Sequence, residues 1–299
     1  MDQCHLMNVY VAVAEEEGFA AASRRLKLSP PAVTRAIAEL ESKLGVKLLN
    51  RNTRHVRTTD AGARYLEDAR RILQDIEMAN EAVIGINTEP KGHLRITAPV
   101  LFGQQYITPG IVEYLKLYPH TFIDACFLDR VVNLLEEGFD VGIRIGELPD
   151  STLKAKRVGQ VKLILIASPD YLAQNGIPAS PRDLTRHTFI ASSAGSMAHD
   201  WQFTEKGKIQ KVRITPRLTV TTNQAAINAA KAGFGITRVI SYQVADELAN
   251  GQIKTVLSDY CATPIPIHII HREDRLSSNK VRSFIDLMAE RLKKEKALN

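Results

Sequence analysis

The sequence predicts two kinds of fold in one chain: a small, mainly α module at the N-terminus and, beyond a long helix, a larger α/β domain. Three observations carry this. Apolar residues recur at helical spacing from Leu6 to Leu44, a heptad-like series runs from Tyr65 to Val83, and from Gly92 onward short apolar runs alternate with helical segments.

Taken in order, Leu6, Val9, Tyr10 and Val13 give the first helix one apolar face, which ends in "EEEG" at Gly18. Phe19, Ala22 and Leu26 mark a second, short helix, and "KLS" connects it to a third. That third helix begins in "SPPAVTRAI". Ser29 is placed to cap it, and Pro30 and Pro31 stand in its first turn, where a missing amide costs nothing. Val33, Ile37, Leu40 and Leu44 form its apolar stripe and Gly45 its stop. The far face carries Pro31, Arg35, Ala38 and Ser42, with Thr34 on its shoulder. Small residues around one long donor suit a helix that lies close against another surface, and two short helices joined by a tight turn form a helix-turn-helix. The run "VKLLNRNTRHVRTT" then predicts a hairpin with Val46, Leu48 and Val56 inward, "RNTR" at its tip, and Arg51, Arg54 and Arg57 as donors.

Charge points the same way. The 299 residues carry a net +6, but between Ala20 and Arg57 nine basic side chains face two acidic ones, a balance of +7, so the remainder stands at −1. Such concentration is the footprint of a polyanion-binding module. The rest is ordinary for a globular protein, with 44% hydrophobic and 24% charged residues. The N-terminus lacks a basic segment followed by an apolar run, and "VKLILIAS" is too short to span a bilayer, so a cytoplasmic location without membrane association is expected. Cys4, Cys126 and Cys261 show no CxxC pairing, which points to buried or half-buried thiols and leaves a thiol-based redox sensor as an alternative.

Between the two folds, Tyr65, Ala69, Ile72, Ile76, Ala79 and Val83 are spaced 4, 3, 4, 3, 4. A helix with such a seam needs a partner, and a second copy is the simplest one; packing on the chain's own module is the alternative. "INTEPKG" breaks the helix at Pro90. Beyond it, strand-like "HLRITAP", "TFIDACFL", "DVGIRIG" and "LILIAS" alternate with helical "GQQYITPGIVEYLKLY" and "RVVNLLEEG". "KVRITPRLTV", "IKTVL" and "IPIHIIHR" follow, before a closing helix from Asn279.

The segment "EEEGFAAASRRLKLSPPAVTRAIAELESKLGVKLLNRNTRHVRTTDAG" resembles the winged helix-turn-helix of the LysR-type transcriptional regulators, with Ala22, Leu26, Ser29, Pro31, Val33, Ile37, Leu40, Glu41, Gly45, Arg51, Thr59 and Gly62 in the family's pattern. Pro30, Thr34 and Asn50 depart from it. The resemblance continues through "PVLFG", "YPH", "LLEEGFDVGIRIG", "SPDYLAQNGIP" and "AAKAGFGI". It implies a DNA-binding module at 1–59, a linker and dimerisation helix with hinge at 60–90, and a two-lobed, periplasmic-binding-protein-like effector domain at 91–299. Lobe one would span about 91–161 and 265–299, lobe two about 162–264. It also implies that Ser29, Pro31, Thr34, Arg35, Arg51, Arg54 and Arg57 meet double-stranded DNA at a pseudo-palindromic promoter site, bound by a homodimer or homotetramer. By position, a small-molecule effector, anionic or aromatic, would meet Pro99, Val100, Leu101, Leu128, Asp129, Arg130, Arg144, Ser192, Ser193, Thr222 and Asn223. Arg144 reads either as an ion-pair partner within the fold or as an anion clamp.

Two other classes fit part of the sequence. An enzyme is disfavoured: GxSxG, GxGxxG and GxxxxGKS are absent, and His187, His199, His268 and His271 lack metal-ligand spacing, so no catalytic residue, metal or cofactor is expected. A cytoplasmic small-molecule-binding protein would account for the C-terminal half but not for the basic module.

Overall fold

The computed structural model describes residues 2–51, 56–84, 89–148, 153–194, 200–205, 208–260, 264–272 and 278–298. The chain forms two compact units, Met1–Ile86 and Asn87–Asn299.

The first unit opens with helices α1 (Gln3–Glu15), α2 (Phe19–Leu26) and α3 (Pro30–Leu44). Strands β1 (Leu49–Arg51) and β2 (Val56–Thr58) pair antiparallel, and α4 (Asp60–Ile84) follows. Its core gathers Leu6, Val9, Tyr10 and Val13 of α1, Ala22 of α2, Val33, Ala36, Ile37 and Leu40 of α3, and Leu48 and Leu49 of the hairpin. Each large aliphatic among them contributes roughly 1.5–3 kcal/mol through burial. Leu44 and Val46, expected inward, are 39% and 42% exposed, because Gly45 turns the chain out through a left-handed residue at φ 68°.

Helix α4 is part of this unit and not a free-standing linker. Ala69 is fully buried against Met7 and Val11 of α1, and Tyr65, Leu66 and Leu73 pack around it. The fit is tightest where α4 starts. The Gly62 amide donates to Thr59 Oγ1 at 2.9 Å, and Tyr10 Oη donates to the Gly62 carbonyl at 2.8 Å. A Cβ on Gly62 would stand 2.0 Å from the Leu48 carbonyl oxygen. Burial, with Glu41 nearby, pushes the Tyr10 hydroxyl up to about 12.

The second unit contains two five-stranded mixed sheets. Strands β3 (Gly92–Ala98), β4 (Thr121–Phe127), β5 (Val141–Ile145) and β6 (Lys154–Val161) belong to lobe one. The short α5 (Val100–Phe102) and α6 (Thr108–Leu117) lie between β3 and β4. The chain crosses at Lys162 into lobe two, which holds β7 (Leu163–Ala167), α7 (Pro169–Asn175), β8 (Phe189–Ser192), the hairpin β9 (Asp200–Glu205) and β10 (Lys208–Arg213), β11 (Leu218–Val220), α8 (Asn223–Lys231), β12 (Ile236–Ile240), α9 (Ala245–Ala249) and β13 (Lys254–Val256). It returns in β14 (Ile265–His271) and closes with α10 (Asn279–Lys294) on lobe one. The sheet orders are β4-β3-β5-β14-β6 and β11-β8-β12-β7-β13.

Two expected elements differ. "RVVNLLEEG" forms turns and not a helix, because Asn133 Oδ1 accepts the amides of Leu135 and Glu136, and Gly138 then adopts φ 70°. "KVRITPRLTV" splits into β10 and β11 at Pro216, which cannot donate to a ladder. Strands β6, β8, β9 and β12 have no counterpart among the expected runs: β6, "KAKRVGQV", is a polar edge strand without the alternation that marks a buried face, whereas β9 does alternate, with Trp201 and Phe203 buried between exposed neighbours. Cys4 is half-buried, Cys126 is exposed, and Cys261 lies outside the described residues. Among the described residues no helix is long and apolar enough to cross a membrane.

Candidate DNA-binding surface and effector cleft

The outward face of α3 is built by the stripe on its other side. With Val33, Ala36, Ile37 and Leu40 wholly buried, the 100° step leaves Pro31, Thr34, Arg35, Ala38 and Ser42 exposed. Thr34 Oγ1 donates to the Pro30 carbonyl at 3.0 Å, which fixes its rotamer and leaves the methyl group outward. Arg35 forms no hydrogen bond or ion pair with any described residue. Ser29 has the extended backbone of an N-cap, but its side chain accepts no helix amide, contrary to expectation. With Pro31 as the second helical residue, one of the two usual donors does not exist, and the amide of Ala32, the other, goes with that of Val33 to the Ser29 carbonyl.

A residue not singled out for this role, Glu41, joins the helix to the hairpin. Its carboxylate is 4% exposed and accepts the Leu48 amide at 2.9 Å, the Leu49 amide at 3.2 Å and Lys47 Nζ at 2.7 Å. Burial works against its charge, but Lys47 and the two amides outweigh that and hold the carboxyl below the usual range. Arg57 is exposed on β2 opposite Asn50. The Arg51 side chain and all of Arg54 lie outside the described residues.

The basic charges divide into two groups. Arg25 is tied to Glu15 and Glu16, Lys43 to Glu39 and Lys47 to Glu41. Arg24, Lys27, Arg35 and Arg57 form no ion pair among the described residues. Among the described residues, four exposed cations without an ion pair thus lie on α2 and its cap, α3 and β2. Along α4, Ala69 of the expected seam is buried on α1 and Tyr65 accepts a hydrogen bond from Gln3 at 3.4 Å, so these two positions are used within the chain. Ile72 and Ile76 remain 38% and 37% exposed, and Ala79 is exposed too; the Val83 side chain lies outside the described residues.

In the second unit a cleft of about 120 Å³ opens at the strand ends of lobe one, lined by Thr97, Ala98, Pro99, Leu128–Val132, Leu134, Gly142–Ile145 and Ile270. It brings together Pro99, Leu128, Asp129, Arg130 and Arg144 of the expected set. Asp129 Oδ1 accepts the Val100 amide at 3.0 Å, tying the loop to the start of α5. Arg130 makes a two-pronged ion pair with Glu137, whose carboxyl that hydrogen bonding holds below its ordinary range. Arg144 forms no ion pair or hydrogen bond with any described residue. Leu101 does not line the cleft. It is 7% exposed and packed in the main core, because α5 turns it inward.

The lobe-two residues sit at the ends of the parallel strands β8 and β11. Ser193 donates its amide to the Val220 carbonyl at 2.8 Å, and Ser192 Oγ accepts the Ala194 amide at 3.2 Å. Thr222 Oγ1 caps α8 by accepting the Ala225 amide at 3.2 Å, with Asn223 half-buried beside it. Between the lobes, Tyr242 meets Phe102 edge-on at 5.2 Å and Tyr106 at 5.8 Å, an aromatic contact sequence spacing gave no means of finding.

Residues 4–63 match the model for the bacterial regulatory helix-turn-helix protein, lysR family, and residues 87–293 the model for the LysR substrate binding domain. The chain belongs to the LysR family. It is 30% identical to the HTH-type transcriptional activator AaeR of Escherichia coli (strain K12), covering 97% of this chain and 94% of that one. It is 31% identical to the uncharacterized regulator YhjC of the same strain, covering 97% of each. The solved structure of CrgA, a LysR-type regulator from Neisseria meningitidis, superposes with a TM-score of 0.63 at 28% identity, covering 98% of this chain and 99% of that one. This LysR-family chain is a DNA-binding transcriptional regulator with a helix-turn-helix module and a C-terminal effector domain.

Proposed function

We propose that α3 enters the major groove with Thr34 and Arg35 toward base edges, while Ser29 and Pro31 permit close approach and Arg51, Arg54 and Arg57 of the hairpin hold flanking phosphates or the minor groove. The observation that carries this is the exposed Arg35 on a small-residue face, which, like Arg24, Lys27 and Arg57, forms no ion pair among the described residues. The division at 1–59, 60–90 and 91–299 is kept as the functional scheme, with α4 serving both units: its first two turns brace the DNA-binding module, and Ile72, Ile76, Ala79 and Val83 supply the seam for a second copy. A homodimer or a tetramer built from it presents two recognition helices to a two-fold related site. The small-molecule effector is anionic or aromatic and binds at Arg144 and the neighbouring cleft residues, with Ser192, Ser193, Thr222 and Asn223 closing on it from lobe two. The protein acts on DNA in the cytoplasm and catalyses no reaction.

The test is footprinting of DNA selected from a random-sequence pool, with mass measurement by sedimentation. Two-fold related protection is expected from the wild-type chain. Ile72→Asp with Ile76→Asp would place charges in an apolar seam and should give a monomer that loses cooperative protection. A double variant that stays dimeric and protects both half-sites would remove α4 from the dimer.

A further inference from the structure

A second cleft in the effector unit lies one strand from the first. In lobe one, β5, β14 and β6 run side by side, and the register sets His268 opposite Arg144 on one flank and Arg157 on the other. Cross-strand partners share a face, so these three side chains form one row. The opposite face packs on α10: Ile267 and Ile269 are fully buried there, and Lys156 reaches Asp286 at 2.9 Å. Beside the row, on the face away from α10, opens a cleft of about 320 Å³ lined by Glu147, Arg157, Gln160, Pro264, Pro266 and His268.

This lining holds both signs of charge in unpaired form. Glu147 and Arg157 form no ion pair with each other or with any other described residue. Arg157 donates to Gln160 Oε1 at 2.9 Å, a bond to a neutral oxygen that orients the guanidinium fork without cancelling its charge. His268 Nδ1 is buried in the wall with no hydrogen-bond partner. Pro264 and Pro266 add apolar surface that has no amide donor. A carboxylate alone would meet Arg157 but also face Glu147, and an amine alone would meet Glu147 but face Arg157. A ligand with both groups, separated by one carbon, answers each with its opposite.

We propose that this cleft binds a zwitterionic α-amino acid, its carboxylate on Arg157, its ammonium on Glu147 and its side chain against Pro264 and Pro266. The site is separate from the effector cleft but adjoins it, since Arg144 lines that cleft and stands opposite His268. Calorimetric titration of the full chain with L-valine, isovalerate and isobutylamine tests it, because the last two each lack one of the charges. L-valine should bind saturably, and each single-charge analogue at least about tenfold more weakly. Arg157→Gln and Glu147→Gln should each weaken L-valine by a similar factor without shifting the melting temperature, as both side chains are exposed. Absence of saturable L-valine heat, equal binding of isovalerate, or unchanged binding in both variants would overturn the proposal. Neither substitution touches the first unit, so DNA titration of the same variants separately judges the regulator reading.

Discussion

The exposed face of α3 and the lobe-one cleft handle charge in opposite ways. Around α3, Arg25, Lys43 and Lys47 are bound into ion pairs, while Arg24, Lys27, Arg35 and Arg57 are exposed and form no ion pair among the described residues. In the cleft, Arg130 is locked to Glu137 and Asp129 to the Val100 amide, while Arg144 has no partner among the described residues. A polyanion offers many contacts over a wide surface, so several free cations on a rigid scaffold serve it. A small ligand offers few, so a cleft is shaped by internal bonds and keeps one or two groups available. In both regions the charges left available, among the described residues, are those the fold does not use.

That contrast can be broken most severely at the scaffold. Gly62→Ala pushes a methyl group into the Leu48 carbonyl, which is backbone and cannot turn aside. The variant should lose about 3 kcal/mol from the first unit and its DNA binding with it, while the effector unit still melts as wild type. A calorimetric scan of the full chain checks this; an unchanged first-unit transition would mean that α4 is not seated as described.

A smaller effect is expected at Glu41. Because its carboxyl is held below the ordinary range in the folded state, its contribution is fully present above that range and fades as pH falls through the lowered value. Glu41→Ala should cost about 1–3 kcal/mol at neutral pH, mostly from the two amides left unpaired, and flatten the acid side of the stability profile. Urea titrations at pH 7 and pH 3 measure both. The smallest effect is expected at Ser29, whose side chain caps nothing: Ser29→Ala should change stability by less than about 0.5 kcal/mol, readable in the same titrations.

The difference between the two regions also decides what was legible in the sequence. Helix α3 is one element with a 3.6-residue period, so its buried stripe, its exposed Thr34 and Arg35, and its stop at Gly45 follow from spacing alone. The cleft is assembled from Pro99, Leu128–Arg130, Arg144 and Ile270, which topology brings together from distant strands, and no local period marks them. Errors arose where tertiary packing or side-chain bonding overrode local pattern. Leu101 turned inward with α5, Asn133 diverted a helix-like run into turns, and Ala69 of the heptad series found its partner on α1. Glu41 was visible as a family residue, but its bonds to Leu48 and Leu49 need the hairpin folded beside the helix to be seen.

The central claim is that α3 reads bases while the hairpin holds the backbone, and one paired titration tests it directly. Arg35→Ala and Arg57→Ala are titrated against selected and unrelated DNA over a range of salt. Arg35→Ala should lose about 1–3 kcal/mol on the selected site and little on unrelated DNA, whereas Arg57→Ala should weaken both alike and reduce the log–log salt slope by about 1. If Arg35→Ala keeps full selectivity for the selected site, the exposed face of α3 is not the reading surface.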